Sequence, residues 1–458
     1  MNLWDFKKAD EITEGRSSEP WHCSGISIDT RTLQKGDLFV ALVGEARDGH
    51  GFLQDAASKG AAAALVSETS TAPLPTLCVP DPLKALEKLG VGARDRCSAM
   101  RIAVTGSVGK TSTKDMLYTV FNEQGLTHGS VSSYNNHWGV PLTLARMPQE
   151  TQFGIFEVGM NHSGEIRPLS KMIKPHIAII TSVVECHFEF FQSAEEIARA
   201  KAEIYEGMAE EGSVLLNHDN PHFELLSKLA QEHKLKVFSF GRSEKADFRL
   251  VSYNGDGEKS TVVGEIKGEQ ISYTLPVPGI HWVFNSLAVL GAVCLANQDV
   301  RRAAQSLREV EAPPGRGKCH KGTFTILDES YNANPTSMRA ALSVLGQSKG
   351  GRKIAVIGDM REMGKIAQRC HEELLEPLLE NKIDLVFCCG SYMAHLYERL
   401  PAHMKGGHKA TSLELIPLVL EAAMAGDVIS VKASLGTRMK PIVDALTVLQ
   451  KDALEKVS

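Results

Sequence analysis

Thr105-Gly-Ser-Val-Gly-Lys-Thr-Ser112 follows the apolar run Arg101-Ile-Ala-Val104 and leads into a stretch with helical periodicity. Strand, glycine-rich turn and helix start, in that order, make a cradle for the phosphates of ATP or GTP. Gly106 and Gly109 let the backbone turn sharply and bring the N–H groups around Ser107 and Val108 to phosphate oxygens. Lys110 adds a point charge, and the Thr111 hydroxyl, followed by Ser112, is of the kind that ligates Mg²⁺. The loop departs from the usual pattern in one respect. Val104 stands where a glycine is expected five residues before the Gly-Lys pair, so the loop is two residues short and points away from general GTPases and kinases.

Around this loop the fold class can be read from the alternation of elements. Apolar runs at 101–104, 153–158, 176–181, 212–216 and 236–240 alternate with helical stretches, which predicts a doubly wound, mainly parallel α/β sheet. Residues 246–278 switch to β-branched residues of alternating polarity and predict an antiparallel extension. Glu311-Ala-Pro-Pro-Gly-Arg-Gly317 is a linker by composition, and strand-like runs recur after it at 323–327, 353–357, 385–388 and 428–431. Before the loop, short strands at 37–43 and 61–66 and a helical stretch at 52–59 make a small α/β unit. The expectation is three α/β domains: 1–98, a central one over 99–312 that carries the phosphate loop, and a third, Rossmann-like one over 313–458.

The bulk numbers fit that division, since 458 residues exceed what one core supports and suggest about three units of ~150 residues. A net charge of −5 without a long Lys/Arg run gives no support for a nucleic-acid partner. No stretch approaches the ~18 apolar residues of a membrane span, and residues 1–10 lack an apolar leader, so a cytoplasmic protein is expected. Nine cysteines, spread without a C-x-x-C pair, fit neither a disulfide framework nor a zinc site.

Ligands of open parallel sheets bind beyond the carboxyl ends of strands, so polar residues directly after apolar runs are the candidates. Glu157 ends one run and is placed to hold a Mg²⁺ that bridges phosphates. His187 follows the next run, where an imidazole can add to a metal site or serve structure alone. Ser193-Ala-Glu-Glu196 reads as a capping box whose helix carries Ile197, Lys201, Ile204 and Met208 on one stripe. Lys201 on that stripe either packs its stem and extends its amine to water, or is buried enough to take up CO₂ and become an anionic ligand. Asn285 either reads an adenine edge or caps the helix that follows Gly279. Arg316, in the linker, is within reach of phosphate or ribose. Asp328, Tyr331, Asn332 and Asn334 crowd one loop, with Asn334-Pro335 suited to a helix start, and segments 358–364 and 432–438 follow later strands in the same manner.

The short loop, Asn135-Asn-His-Trp-Gly-Val-Pro141, Glu157-Val-Gly-Met-Asn-His-Ser-Gly-Glu-Ile166 and Asp328-Glu-Ser-Tyr-Asn-Ala-Asn-Pro335 together resemble the Mur ligases of peptidoglycan synthesis, over essentially the whole chain. The likeness is greatest to the branch that adds D-alanyl-D-alanine to UDP-N-acetylmuramoyl-tripeptide. It implies an ATP-dependent peptide ligase, monomeric, that works through an acyl phosphate. By the same resemblance Ser27, Asp29, Arg31, Asp48 and His50 face the uridine diphosphate, and His281, Asn285, Arg316 and Asp328 hold adenine or ribose. Thr111, Glu157, His187 and a carbamylated Lys201 would serve two Mg²⁺ ions, with Asn136, His162, Asn332 and Asn334 near the reaction centre. Two rivals remain, a folylpolyglutamate synthetase-like ligase and a nucleotide-binding regulator without activity. The regulator is expected to lack Lys110, Glu157 or Lys201, and all three are present.

Overall fold

The computed structural model describes residues 2–44, 47–68, 73–184 and 189–455. Among them, three sheets carry the architecture. The first, of five strands, runs in the order Arg16–Ser17, Thr76–Cys78, Ala63–Val66, Asp37–Val40, Gly25–Ser27, and all its pairings but the first are parallel. Helix Pro82–Asp95, capped by the Asp81 carboxylate, lies between this sheet and the central unit. Gly90 lets it approach closely, since a Cβ there would sit 3.0 Å from the Pro141 carbonyl.

The central sheet has nine strands. Third from one edge, β1 (Met100–Thr105) lies between β2 (Phe153–Glu157) and β3 (Ile177–Ile180), all parallel. Ile102, Ala103 and Val104 are fully buried, so both faces of β1 are covered, which is why its sequence is a continuous apolar run instead of an alternating one. One face is covered by α1 (Lys110–Asn122) and by the helix Ile280–Leu295; the other by Ile166–Ile173 and by α2 (Ala194–Ala202). The expected antiparallel extension is present as Phe248–Gly255, Ser260–Ile266 and Glu269–Leu275.

Two local expectations need correction on α2. Ser193 Oγ accepts the Glu196 N–H at 3.2 Å, but the Glu196 carboxylate reaches back to the Gln192 N–H at 2.8 Å, so only half of the expected capping box forms. The stripe that was to reach Met208 as one helix tightens into a 3₁₀ turn at Glu203–Gly207, where Gly207 lies against the backbone of Ser170 and Lys171 with no room for a Cβ.

After the linker, α3 (Ile280–Leu295) having closed the central unit, a six-stranded sheet is built around β4 (Thr325–Glu329) and β5 (Val428–Lys432), which pair in parallel. Only the edge strand Lys318–Lys321 runs antiparallel. Helix α4 (Pro335–Gln347) starts directly behind β4, with Asn334 as its cap, Pro335 at its first position and a reciprocal bond from Ser337. The carboxyl ends of β1 and β2 thus face those of β4 and β5 across a cleft.

Candidate active site

The phosphate loop is shaped by its neighbours as well as by its own glycines. Gly106 (φ +149°) leaves space that the Thr181 hydroxyl fills, and that hydroxyl donates to the Val108 carbonyl at 2.6 Å. The Ser107 N–H donates to the Ser182 carbonyl at 2.8 Å, so the chain after β3 clamps the loop. Gly109 caps α1 at φ +85°, a left-handed turn that an L side chain enters at a cost. Lys110 Nζ donates to the Gly106 carbonyl at 2.8 Å, which keeps its charge at the loop's mouth.

Asn285 lies against this turn. Helix α3 begins at Ile280 with Gly279 as its cap, so Asn285 is in the helix interior and the capping alternative falls away. Its Nδ2 donates to Ser112 Oγ at 3.2 Å, and a Cβ on Gly109 would sit 2.8 Å from it. The amide braces the loop. Gly109→Ala is therefore expected to lower stability by about 1–2 kcal/mol from the left-handed turn alone and to weaken nucleotide binding; an unchanged denaturation midpoint would mean the turn is not needed in solution.

Loop, helix and linker enclose one cavity of about 470 Å³ between the central and third units. Residues 107–112, Glu157, His281, Asn285, Arg316, Asn332 and Asn334, all candidates from the sequence, line it. Glu157, at the end of β2, is 1 % exposed; its Oε1 accepts the Asn135 amide at 2.7 Å, while Oε2 is buried without a hydrogen-bond partner. A buried, unsatisfied carboxylate oxygen beside a phosphate cradle suits a hard cation that takes its remaining ligands from phosphate and water. Among the described residues, no three His, Cys, Asp or Glu side chains converge as a preformed metal site. His187 lies outside the described residues. Lys201 is buried on α2 and does not line the cavity.

From the third unit, Arg316 stacks on the Tyr331 ring at 3.8 Å and donates to Ser133 Oγ at 3.2 Å, so the linker touches both sides of the cleft. Lys432, at the end of β5, is buried; its Nζ pairs with Glu329 at 3.3 Å and donates to the Asn332 carbonyl at 3.1 Å. His281 is half-buried beside this pair, and loss of solvation holds its pKa below the ordinary value.

Asp328 is the clearest departure from expectation. It is fully buried, and its oxygens are taken by the Gly315 N–H at 3.0 Å and by the N–H and hydroxyl of Ser330. It fixes the linker to β4 and does not line the cavity; Glu329, the next residue, does. Neighbouring side chains on a strand point to opposite faces, which explains the exchange. Glu329, Lys432 and Asn135 also line the cavity; each lies in a segment singled out in the sequence, but none is assigned a role there.

The remaining candidates are elsewhere. Asn136 caps the turn at Gly139 with a 3.0 Å bond, and exposed His162 packs on Phe190 with ring centres 4.4 Å apart and planes tilted by 54°. In the first unit Ser27 Oγ donates to the Asp29 carbonyl, Arg31 grips the Asp29 carboxylate with Nε and Nη2, and His50 pairs with Asp48 at 2.6 Å. None of these seven residues lines the cavity.

Three family models match in order along the chain: the Mur ligase family catalytic domain at 22–89, the Mur ligase middle domain at 104–293 and the Mur ligase glutamate ligase domain at 315–435. The UDP-N-acetylmuramoyl-tripeptide--D-alanyl-D-alanine ligase of Rickettsia prowazekii is 34% identical over 96% of this chain and 99% of its own. Its namesake from Bacillus subtilis is 33% identical over 96% of this chain and 97% of its own. Among solved structures, MurF from Acinetobacter baumannii superimposes with a TM-score of 0.86 at 28% identity, covering 97% of this chain and 98% of that one.

Proposed function

The chain belongs to the Mur ligase family, and from this we infer that it is an ATP-dependent peptide ligase that adds D-alanyl-D-alanine to UDP-N-acetylmuramoyl-tripeptide in peptidoglycan synthesis. The observation that carries the reading to this chain's own residues is the single cavity in which the phosphate loop and Glu157 face the Tyr331–Asn334 loop and Lys432.

The chemistry follows from charge. The terminal carboxylate of the tripeptide attacks the γ-phosphorus of ATP and displaces ADP, and the resulting acyl phosphate is attacked at its carbonyl carbon by the amine of the dipeptide, which loses a proton as phosphate leaves. Two anions meet in the first step, so cations must surround it, and Lys110, Arg316 and Lys432 supply them. Mg²⁺, when bound, neutralises charge on the phosphoryl oxygens. Thr111 and Glu157 are the residues that would hold it, with His187 and a carbamylated Lys201 assigned to a second ion. Glu329 takes over from Asp328 as the acid for the ribose hydroxyls, next to His281 and Asn285 on the nucleotide side. Asn332 and Asn334 line the path of the incoming dipeptide, with Asn136 and His162 beyond the cavity on the tripeptide side. Residues 1–98 hold the uridine diphosphate through Ser27, Asp29, Arg31, Asp48 and His50, residues 99–312 bind ATP, and residues 313–458 close over it. The same reading has it work as a monomer in the cytoplasm on nucleotide-linked precursors; among the described residues no helix is long and apolar enough to cross a membrane.

A phosphate-release assay tests the reading. Release is expected only when ATP, the UDP-linked tripeptide and D-alanyl-D-alanine are all present; equal release without the dipeptide would sink it.

A further inference from the structure

Lys114 lies one turn beyond Lys110 on α1, yet it is 4 % exposed and forms no part of the cavity wall. A buried ammonium needs partners for its charge and its protons. Its Nζ donates to the carbonyls of Ser130 at 3.1 Å and Ser132 at 3.3 Å, and Asp115 stands 2.5 Å away to offset the charge. Ser132 is held at φ +55°, which turns its carbonyl to the amine.

The segment that Lys114 grips is irregular, and its next residues reach the site. Ser133 Oγ lies 3.4 Å from Thr111 Oγ1 and accepts from Arg316. Asn135 donates its amide to Glu157 Oε1, its carbonyl accepts the Gly159 N–H at 2.8 Å, and its side chain packs where a Cβ on Gly159 would sit. One loop therefore touches both residues assigned above to Mg²⁺. The charged tie between that loop and the phosphate-loop helix is Lys114, and because Asp115 neutralises it, the tie adds little repulsion toward a nearby cation.

We propose that Lys114 is a positioning residue for the metal: it holds residues 130–135 so that Asn135 and Ser133 set Glu157 and Thr111 in place. The proposal rests on the metal role given to those two residues. Outer-shell partners of a metal ligand typically change affinity by about 10–100-fold when removed.

The test uses the full-length protein with ADP and Mn²⁺, read by electron paramagnetic resonance. Lys114→Met is expected to raise the half-saturating Mn²⁺ concentration by about 10–100-fold and to leave ADP affinity in EDTA unchanged, whereas a merely structural lysine would weaken both. Asn135→Ala, which leaves the buried amine untouched, is expected to give the same rise, and the double variant no further one. An unchanged Mn²⁺ requirement in folded Lys114→Met overturns the proposal, as does an unchanged requirement in Asn135→Ala should the lysine variant not fold. Glu157→Gln in parallel separates the two levels. If it leaves Mn²⁺ binding intact, the metal reading itself falls; if it weakens binding while the Lys114 and Asn135 variants do not, only the positioning role falls.

Discussion

Lys110→Ala is expected to lower turnover by about a hundredfold or more, since loss of one preorganised electrostatic stabiliser costs about 2.7–4 kcal/mol and each 1.36 kcal/mol is tenfold in rate. The fold should survive. The loop owes its shape to Gly106 and Gly109, to the Thr181 hydroxyl on the Val108 carbonyl and to the Asn285 amide, none of which depends on the lysine. What the substitution removes is the ammonium held 2.8 Å from the Gly106 carbonyl, where two anionic reactants are to meet. Phosphate release under saturating substrates, with circular dichroism and a thermal melt as the check on folding, measures the effect. Near-normal turnover in a folded variant would show that the loop does not act as a phosphate cradle.

The parts of the site that were legible in the sequence share a property: each is fixed by local pattern. A run of apolar residues buried on both faces, two glycines at positive φ and a Gly-Lys-Thr helix start are contiguous, so β1, the loop and α1 could be placed together. Glu157 was found because it ends such a run. The resemblance points to Asp328, and two acids in succession give no phase to a strand; only the pairing of β4 with β5 decides which one faces the cleft. Asn285 was left between two roles because the start of α3 depends on the Gly279 backbone at φ +109°, which composition does not reveal. Lys114 gives no signal, and Asn135, though it opens the Asn135–Pro141 motif, gives none of its role, because their partners are 16 and 22 residues away across an irregular segment. For Lys432 a signal existed, a lysine ending an apolar strand, but its burial against Glu329 becomes visible only once the sheet is assembled.

Lys201→Ala is the second large effect. The lysine is 2 % exposed on α2, the helix that covers the sheet face behind β3. As an ammonium it would repel Mg²⁺. As a carbamate, formed when the neutral amine adds to the carbon of CO₂ and gives up a proton, it offers the anionic oxygens that a hard cation prefers. Removing such a ligand is expected to lower turnover by about 10²–10³-fold, on the scale of other preorganised charge stabilisers. The loss should take the form of a metal defect: a higher Mg²⁺ requirement, and partial recovery with formate or acetate, small carboxylates able to enter the space left by the side chain. Rescue by such acids separates this role from simple packing, because a cavity left by a structural lysine would not be made active by an anion. The direct observation is the added carboxyl group, by mass or in density, in an active sample equilibrated with bicarbonate. An unmodified Lys201 amine in the Mg²⁺-bound, active enzyme would refute the assignment, and the second ion would then have to be held by Glu157, His187 and phosphate oxygens alone.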